Sequence, residues 1–239
     1  MSLLTLIRHA QGSFHGEDYD RLSEVGEIQA HKLGEYLIRR GVRFDRVFAG
    51  PRTRHLRTAE IVAEVHSQAG MAFPEPVILP ELDEYTTRLF SEDYLEAAAE
   101  AHPRLFRLER AYRDSIGPDQ RLRTFKVLFE AAMELWVEGA LNGEPIESWD
   151  SFAARVERGI ALMTSGEGRG LHVCAFTSAG PTSVATRLAL GISPRKTLHL
   201  SYVIHNAALT SFLFTVGRFS LNGFNSTPHL DQPELLTLW

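Results

Sequence analysis

Cysteine is all but missing from this chain. Cys174 stands alone among 239 residues, which excludes an internal disulfide and a cysteine-rich metal site and fits a reducing compartment. An excess of positive charge is missing too. There are 25 Lys and Arg against 30 Asp and Glu, for a net charge of −5, so no broad cationic surface is implied and nucleic acid is not an expected partner. Any anionic ligand must then be held by a local cluster of Arg. Long apolar runs are also absent. The opening "MSLLTLIRHAQ" is too short for a signal peptide or a membrane span and lacks a basic leader. The expectation is a soluble, cytoplasmic protein with no membrane partner. There are no heptads, internal repeats or low-complexity tracts. No P-loop or Gly-x-Gly-x-x-Gly supports ATP or NAD chemistry, and no His/Asp/Cys spacing resembles a zinc or iron site. Neither a cofactor nor a metal is expected.

What the chain does have is enough apolar content, 44%, for one well-packed core with an added subdomain. Strand-like and helix-like segments alternate. "LLTLI" ends at Arg8 as a buried strand. "LSEVGEIQAHKLGEYLIRRG" is a helix that Ser23 can cap. "FDRVFAG" is a second strand, and the helix "PRTRHLRTAEIVAEVHSQAG" follows it, with Pro51 suited to the first turn. "EPVILPEL" is a third extended stretch. Beyond it, two segments, 92–114 and 119–143, read as helical. They form an α-helical insertion over about 85–145, rich in aromatic and charged side chains. "SWDSFAARVERGIALMTSG" is a further helix. Strand "LHVCAF", helix "GPTSVATRLALG" and two strand-like runs, "LHLSYVIH" and "ALTSFLFTV", come next, and "RFSLNGFN" can close a hairpin. The pattern predicts one α/β domain over 1–239. It is a three-layer αβα sandwich with a mostly parallel sheet, antiparallel where the last strands follow one another directly.

In open α/β sheets ligands bind beyond the carboxyl ends of the strands. Arg8 and His9 stand at the first such end. A lone histidine there reads first as structural, but a buried Arg beside it needs an anion or a carboxylate. The second strand end offers Arg52, Arg54 and Arg57. Arg52 reads as solvated, and Arg54 or Arg57 can face the same site as Arg8. The third offers the acids Glu81, Asp83 and Glu84 in "ELDEY". Arg forks suit a phosphoryl group, imidazole can attack phosphorus, and a carboxylic acid can protonate a leaving oxygen. In "AFTSAGP" Ser178 occupies a strand–turn–helix junction, as nucleophile, phosphate-binding hydroxyl or helix cap.

The chain resembles the histidine phosphatase superfamily, with its phosphoglycerate-mutase-like fold, over nearly its whole length outside the helical insertion. "LIRHAQGSF" resembles the Arg-His-Gly signature, and "DRLSEVGEIQAHKLGEYL" resembles Leu-Ser/Thr-x-x-Gly-x-x-Gln-Ala. "AGPRTRHLRTAEI" resembles Ser-Pro-x-x-Arg-Ala-x-x-Thr-Ala, "LDE" resembles Leu-x-Glu, and "FNSTPHL" resembles the tail. The resemblance implies that His9 carries the phosphoryl group as phosphohistidine and passes it to water. Glu84 would be the proton donor, and Arg8 and Arg54 would hold the equatorial oxygens. Glu81 and Asp83 remain local rivals to Glu84.

The pattern breaks at four positions. Ala10 replaces the usual Gly. Gly12 and His15 fall where the family tends to have a small hydroxyl residue and an Asn. Where the family has a second phosphate-binding histidine, this chain has "TSAG", with Ser178 at the aligned position. Loss of a charged donor there would cost roughly 10²–10³ in rate. Turn amides, the helix N-terminus after the turn and a displaced histidine could compensate. His15 and His205 are the candidates, and His55, His66 and His172 read as structural. Three readings follow. One is a metal-independent phosphatase acting on a small phosphorylated substrate. Another is a phosphate-binding relative with little turnover, such as a sensor. The weakest makes Ser178 a hydrolase nucleophile, although no Gly-x-Ser-x-Gly is present. A phosphoglycerate-type mutase is a lesser alternative, and a homodimer is compatible with all of them.

Overall fold

Apolar runs bounded by small or charged residues supply the strands. The computed structural model describes residues 1–13, 20–85, 87–141, 146–166 and 169–238. Among these, β1 (Ser2–Arg8), β2 (Arg46–Ala49), β3 (Val77–Ile78), β4 (His172–Thr177), β5 (Leu209–Thr215) and β6 (Arg218–Ser226) form one six-stranded sheet in the order β3-β2-β4-β1-β5-β6. The first four in that order run parallel, and β5 and β6 run antiparallel to their neighbours. "EPVILPEL" contributes only the two-residue β3. At the sheet centre β1 pairs with β4 so that Arg8 stands opposite Thr177. The segments following both strands therefore emerge at one edge, where the candidate site lies.

Helices cover the sheet to give the expected three-layer α/β architecture. α1 (Glu24–Arg39) starts at Ser23, whose hydroxyl accepts from the Gly26 N–H at 3.0 Å. α2 (Thr53–Gln68) starts after Arg52 in extended conformation, so Pro51 precedes the helix rather than forming its first turn. Ile7, Leu33, Leu37, Val47, Val62 and Phe176 fill the core beneath them. α3 (Glu92–Ala101) and α4 (Pro103–Arg113) are separate helices. The break falls at His102, because a residue before proline is pushed out of the helical region. α5 (Pro118–Val137), α6 (Trp149–Thr164) and α7 (Ala179–Leu190) follow the predicted segments. α8 (Pro194–Ser201) corrects a prediction, since part of "LHLSYVIH" was read as a strand. Pro194 at the first helical position and the Ser193 hydroxyl, which accepts from the Lys196 N–H, start a helix instead.

The chain divides into two compact units, residues 1–84 with 155–239 and residues 85–154. The first holds the sheet. The second is helical, with an aromatic core in which Trp136 meets Trp149 edge to face at 5.4 Å between ring centroids. Its indole N–H donates to the Glu147 carbonyl at 2.7 Å.

Candidate active site

His9 directly follows β1 and is pinned on both sides of its backbone. Its N–H donates to the Thr177 carbonyl at 2.7 Å, and its own carbonyl accepts from the Ala207 N–H at 3.2 Å. Ala207 holds a left-handed backbone, φ 57°, uncommon outside glycine and of the kind that collects at functional sites. The His9 ring is buried. Burial first, then the charges of Arg54 and Arg8 and the neighbouring His55, hold its pKa well below the usual value, so the ring is neutral. Nδ1 lies 2.7 Å from the Ala10 carbonyl, and only a protonated Nδ1 makes that a hydrogen bond. The lone pair is therefore on Nε2, which accepts from Arg54 Nε at 3.1 Å. The bond to Ala10 uses main chain only, so the Ala in place of Gly leaves it intact.

Arg54 sits in the first turn of α2, buried, with its Nη1 on Asp20 Oδ1 at 2.7 Å. The other Asp20 oxygen accepts from the Thr53 N–H at 2.8 Å, so one carboxylate both starts α2 and fixes the guanidinium. Thr58, one turn on, donates its hydroxyl to the Arg54 carbonyl at 2.7 Å and accepts from the Ala10 N–H at 3.1 Å. Arg8 reaches the Ile204 carbonyl with Nη1. The loop carrying Ile204 is tied by Asn225, whose amide donates to the Val203 carbonyl at 2.6 Å and accepts from the His205 N–H at 2.8 Å.

The three acids of "ELDEY" part company. Glu84 Oε2 accepts from the Gly180 N–H at 3.2 Å, at the start of α7. Asp83 is taken by Arg52 Nε at 2.5 Å, which corrects the reading of Arg52 as merely solvated. Arg155 donates to the backbone carbonyls of Glu81 and Asp83 at 3.0 and 3.1 Å, bracing the segment. Arg57 stays outside the site, bonded to Glu64 at 2.9 Å on the outer face of α2.

Ser178 is the N-cap residue of α7, but its hydroxyl makes no cap bond. Instead Oγ lies 2.6 Å from His55 Nε2. His55, read from sequence as structural, is wholly buried with its ring centroid 5.6 Å from that of His9. Burial, then Arg54 and Arg52, hold its pKa well below the usual value. A signal for it was present: Gly50 and His55 both depart from the Ser-Pro-x-x-Arg-Ala pattern. A Cβ at Gly50 would stand 2.4 Å from His55 Nδ1, so the one departure makes room for the other. Asp20 and Thr58 were missed as site residues. The fold brings His9, Arg8, Arg54, Glu84 and Ser178 to the carboxyl ends of the strands and the turns that follow them. His205 is engaged with Asn225, and His15 lies outside the described residues. Among the described residues no group of three or more His, Cys, Asp and Glu is arranged to hold a metal ion, and no helix is long and apolar enough to cross a membrane.

A neutral, buried imidazole beside the buried Arg54, at the carboxyl ends of parallel strands, stands in an α/β protein of the phosphoglycerate-mutase-like fold. A sequence model of the histidine phosphatase superfamily (branch 1) matches residues 4–227, and the chain belongs to that superfamily. Comparison with curated proteins finds no match. Among solved structures, YhfR of Bacillus stearothermophilus is 16% identical and superposes with a TM-score of 0.67 over 97% of this chain and 100% of its own. A phosphoglycerate mutase from Bacillus anthracis is 16% identical, with a TM-score of 0.61 over 96% of this chain and 95% of its own. A phosphoserine phosphatase from Entamoeba histolytica, solved with 3-phosphoglyceric acid, is 21% identical, with a TM-score of 0.59 over 96% of this chain and 100% of its own. At these identities the likeness is one of fold.

Proposed function

We propose that this protein is a cytoplasmic, metal-independent phosphatase that hydrolyses a small phosphomonoester, with His9 as nucleophile. The observation that carries the reading is the state of the His9 ring: neutral, with its proton fixed on Nδ1 and the Nε2 lone pair facing a guanidinium. In the first step Nε2 attacks phosphorus and the ester P–O bond breaks. The leaving oxygen takes a proton from Glu84. In the second step water attacks the phosphoimidazole, Glu84 takes back a proton, the P–N bond breaks and inorganic phosphate leaves. Arg8 and Arg54 hold the equatorial oxygens and meet the charge that develops on them. Ser178 and the start of α7 add donors on another side. The place of Glu84 against Gly180 favours it as the acid over Asp83, which Arg52 holds.

Members of this fold include phosphatases and a mutase, and one assay separates hydrolysis from transfer and from binding alone. Wild type and His9→Ala are incubated with p-nitrophenyl phosphate, and both p-nitrophenol and inorganic phosphate are counted. Matched release of the two by wild type, with a loss of at least about 10³-fold in His9→Ala, is the expected result. Equal rates in both proteins would overturn the assignment. An absence of turnover while vanadate still raises the melting temperature would make the protein a binder.

A further inference from the structure

The pair formed by Ser178 and His55 is built with more care than a helix start needs. An N-cap serine normally accepts from an amide of the first turn. Here that bond is absent, and the hydroxyl is spent on a histidine 123 positions away in sequence at 2.6 Å. Both side chains are fully buried, where an unpartnered polar group is costly. The ring also needs space that only a glycine at position 50 leaves. The pair flanks the nucleophile: the His55 and His9 rings lie 5.6 Å apart, and the residue before Ser178 accepts the His9 backbone N–H at 2.7 Å.

We propose that His55 is the positioning residue that makes Ser178 a donor to the phosphoryl oxygens, an inference that rests on the reading of His9 as the phosphoryl acceptor. His55 is neutral, so its ring carries one proton. With that proton on Nε2 the ring donates to Ser178 Oγ. The hydroxyl proton is then turned away from His55 and donates to a non-bridging oxygen of the phosphoryl group on its way to His9. No proton changes owner. Two hydrogen bonds in series carry the polarity of a buried imidazole one hydroxyl further into the site, and such chains polarise one another in a dry interior. With the opposite polarity Ser178 would spend its single proton on Nε2 and have none to offer the phosphoryl group.

The test is a double-mutant cycle on His55→Ala and Ser178→Ala, with His55→Gln as the conservative variant. It reads kcat and KM for p-nitrophenyl phosphate and the dissociation constant for orthovanadate by thermal shift. Each single variant should lose about 10- to 100-fold in kcat, with KM within about threefold. The double variant should fall no lower than the worse single, because both remove one chain of donors. His55→Gln, whose amide N–H can reach Oγ, should recover most of the loss, which a purely structural histidine would not predict. Vanadate affinity should weaken equally in all the alanine variants. Losses that multiply, or a Ser178→Ala that keeps the wild-type kcat, would overturn the proposal, as would a phosphoenzyme that survives His9→Ala and vanishes in Ser178→Ala. Failure of the phosphohistidine reading shows separately, as undiminished turnover in His9→Ala, and the vanadate cycle still tests the pair in that case.

Discussion

Asp20 decides how well Arg54 is aimed. Its two oxygens take Arg54 Nη1 at 2.7 Å and the Thr53 N–H at 2.8 Å, so a single side chain fixes both a guanidinium and the helix that bears it. Charge-assisted bonds of this kind are stronger than neutral ones. Asp20→Ala should therefore do two things at once. It should cost about 1 kcal/mol of stability through the lost helix start, and it should lower kcat/KM about tenfold as Arg54 loses its orientation. Urea unfolding with steady-state kinetics reads both, and an unchanged kcat/KM would show that Arg54 holds its place without Asp20. No sequence pattern points to Asp20, because its partner lies 34 residues on and nothing local demands the bond. Arg8 and His9 were legible as candidates because strand ends in a parallel sheet converge, whereas Arg54 was chosen over Arg57, and Glu84 over Glu81 and Asp83, only by resemblance to the family motifs. His55 was hidden for the opposite reason. A histidine on the inner side of an amphipathic helix is usually core, and only its bond to Ser178 across the fold distinguishes it.

At the scale of elements, the turn from β2 into α2 sets the site. α2 presents Arg54 to His9 and, on the next residue, His55 to Ser178, so any rotation of its first turn moves both. Gly50 governs that turn. A Cβ there would meet His55 Nδ1 at 2.4 Å and the Leu82 carbonyl at 2.8 Å, closer than real Cβ atoms approach. Gly50→Ala should cost about 1–3 kcal/mol as an overpacked site and push the His55 ring off Ser178. Its kcat should then fall by about the same 10- to 100-fold as in His55→Ala. Adding Gly50→Ala to His55→Ala should lower kcat by less than Gly50→Ala does alone, because only the clash with the Leu82 carbonyl remains, and a Gly50→Ala enzyme with full activity would refute the link between the turn and the pair. Elements of this length were largely legible, since β1, α1, α2, β4 and α7 follow their apolar patterning, with a side-chain cap as well at α1. α8 was not, because "LHLSYVIH" carries β-type residues while Ser193 and Pro194, upstream of that run, fix a helix start. Local start signals outweighed propensity there.

The whole molecule places several titratable groups where neither terminus of the pH scale suits them. Burial is the first cause holding His9, His55, His172 and His229 below the ordinary imidazole pKa, and His229 falls to about 4. The unfolded chain takes up those protons as pH drops through about 6.5 while the folded chain does not, so stability is lost on the acid side. Cys174, buried in the central strand β4, has its thiol pushed well above its usual value. There the unfolded thiol ionises first as pH rises past about 8.5, and stability is lost on the alkaline side. The stability curve should be flat between those limits and fall beyond both. His229 is the cleanest probe, because its ring packs against Tyr36 and both its nitrogens are buried without a hydrogen-bond partner among the described residues. Between pH 6.5 and 4 it should withdraw about 3 kcal/mol, equivalent to about 6–12 °C in a chain of this size. Melting curves of wild type and His229→Leu across pH 4.5–7.5 read this directly. The variant should lose less on acidification, with turnover of p-nitrophenyl phosphate at pH 7 unchanged. Parallel acid limbs in the two proteins would mean that His229 takes up its proton in the folded state as readily as in the unfolded one, and that the acid sensitivity belongs to the histidines of the site.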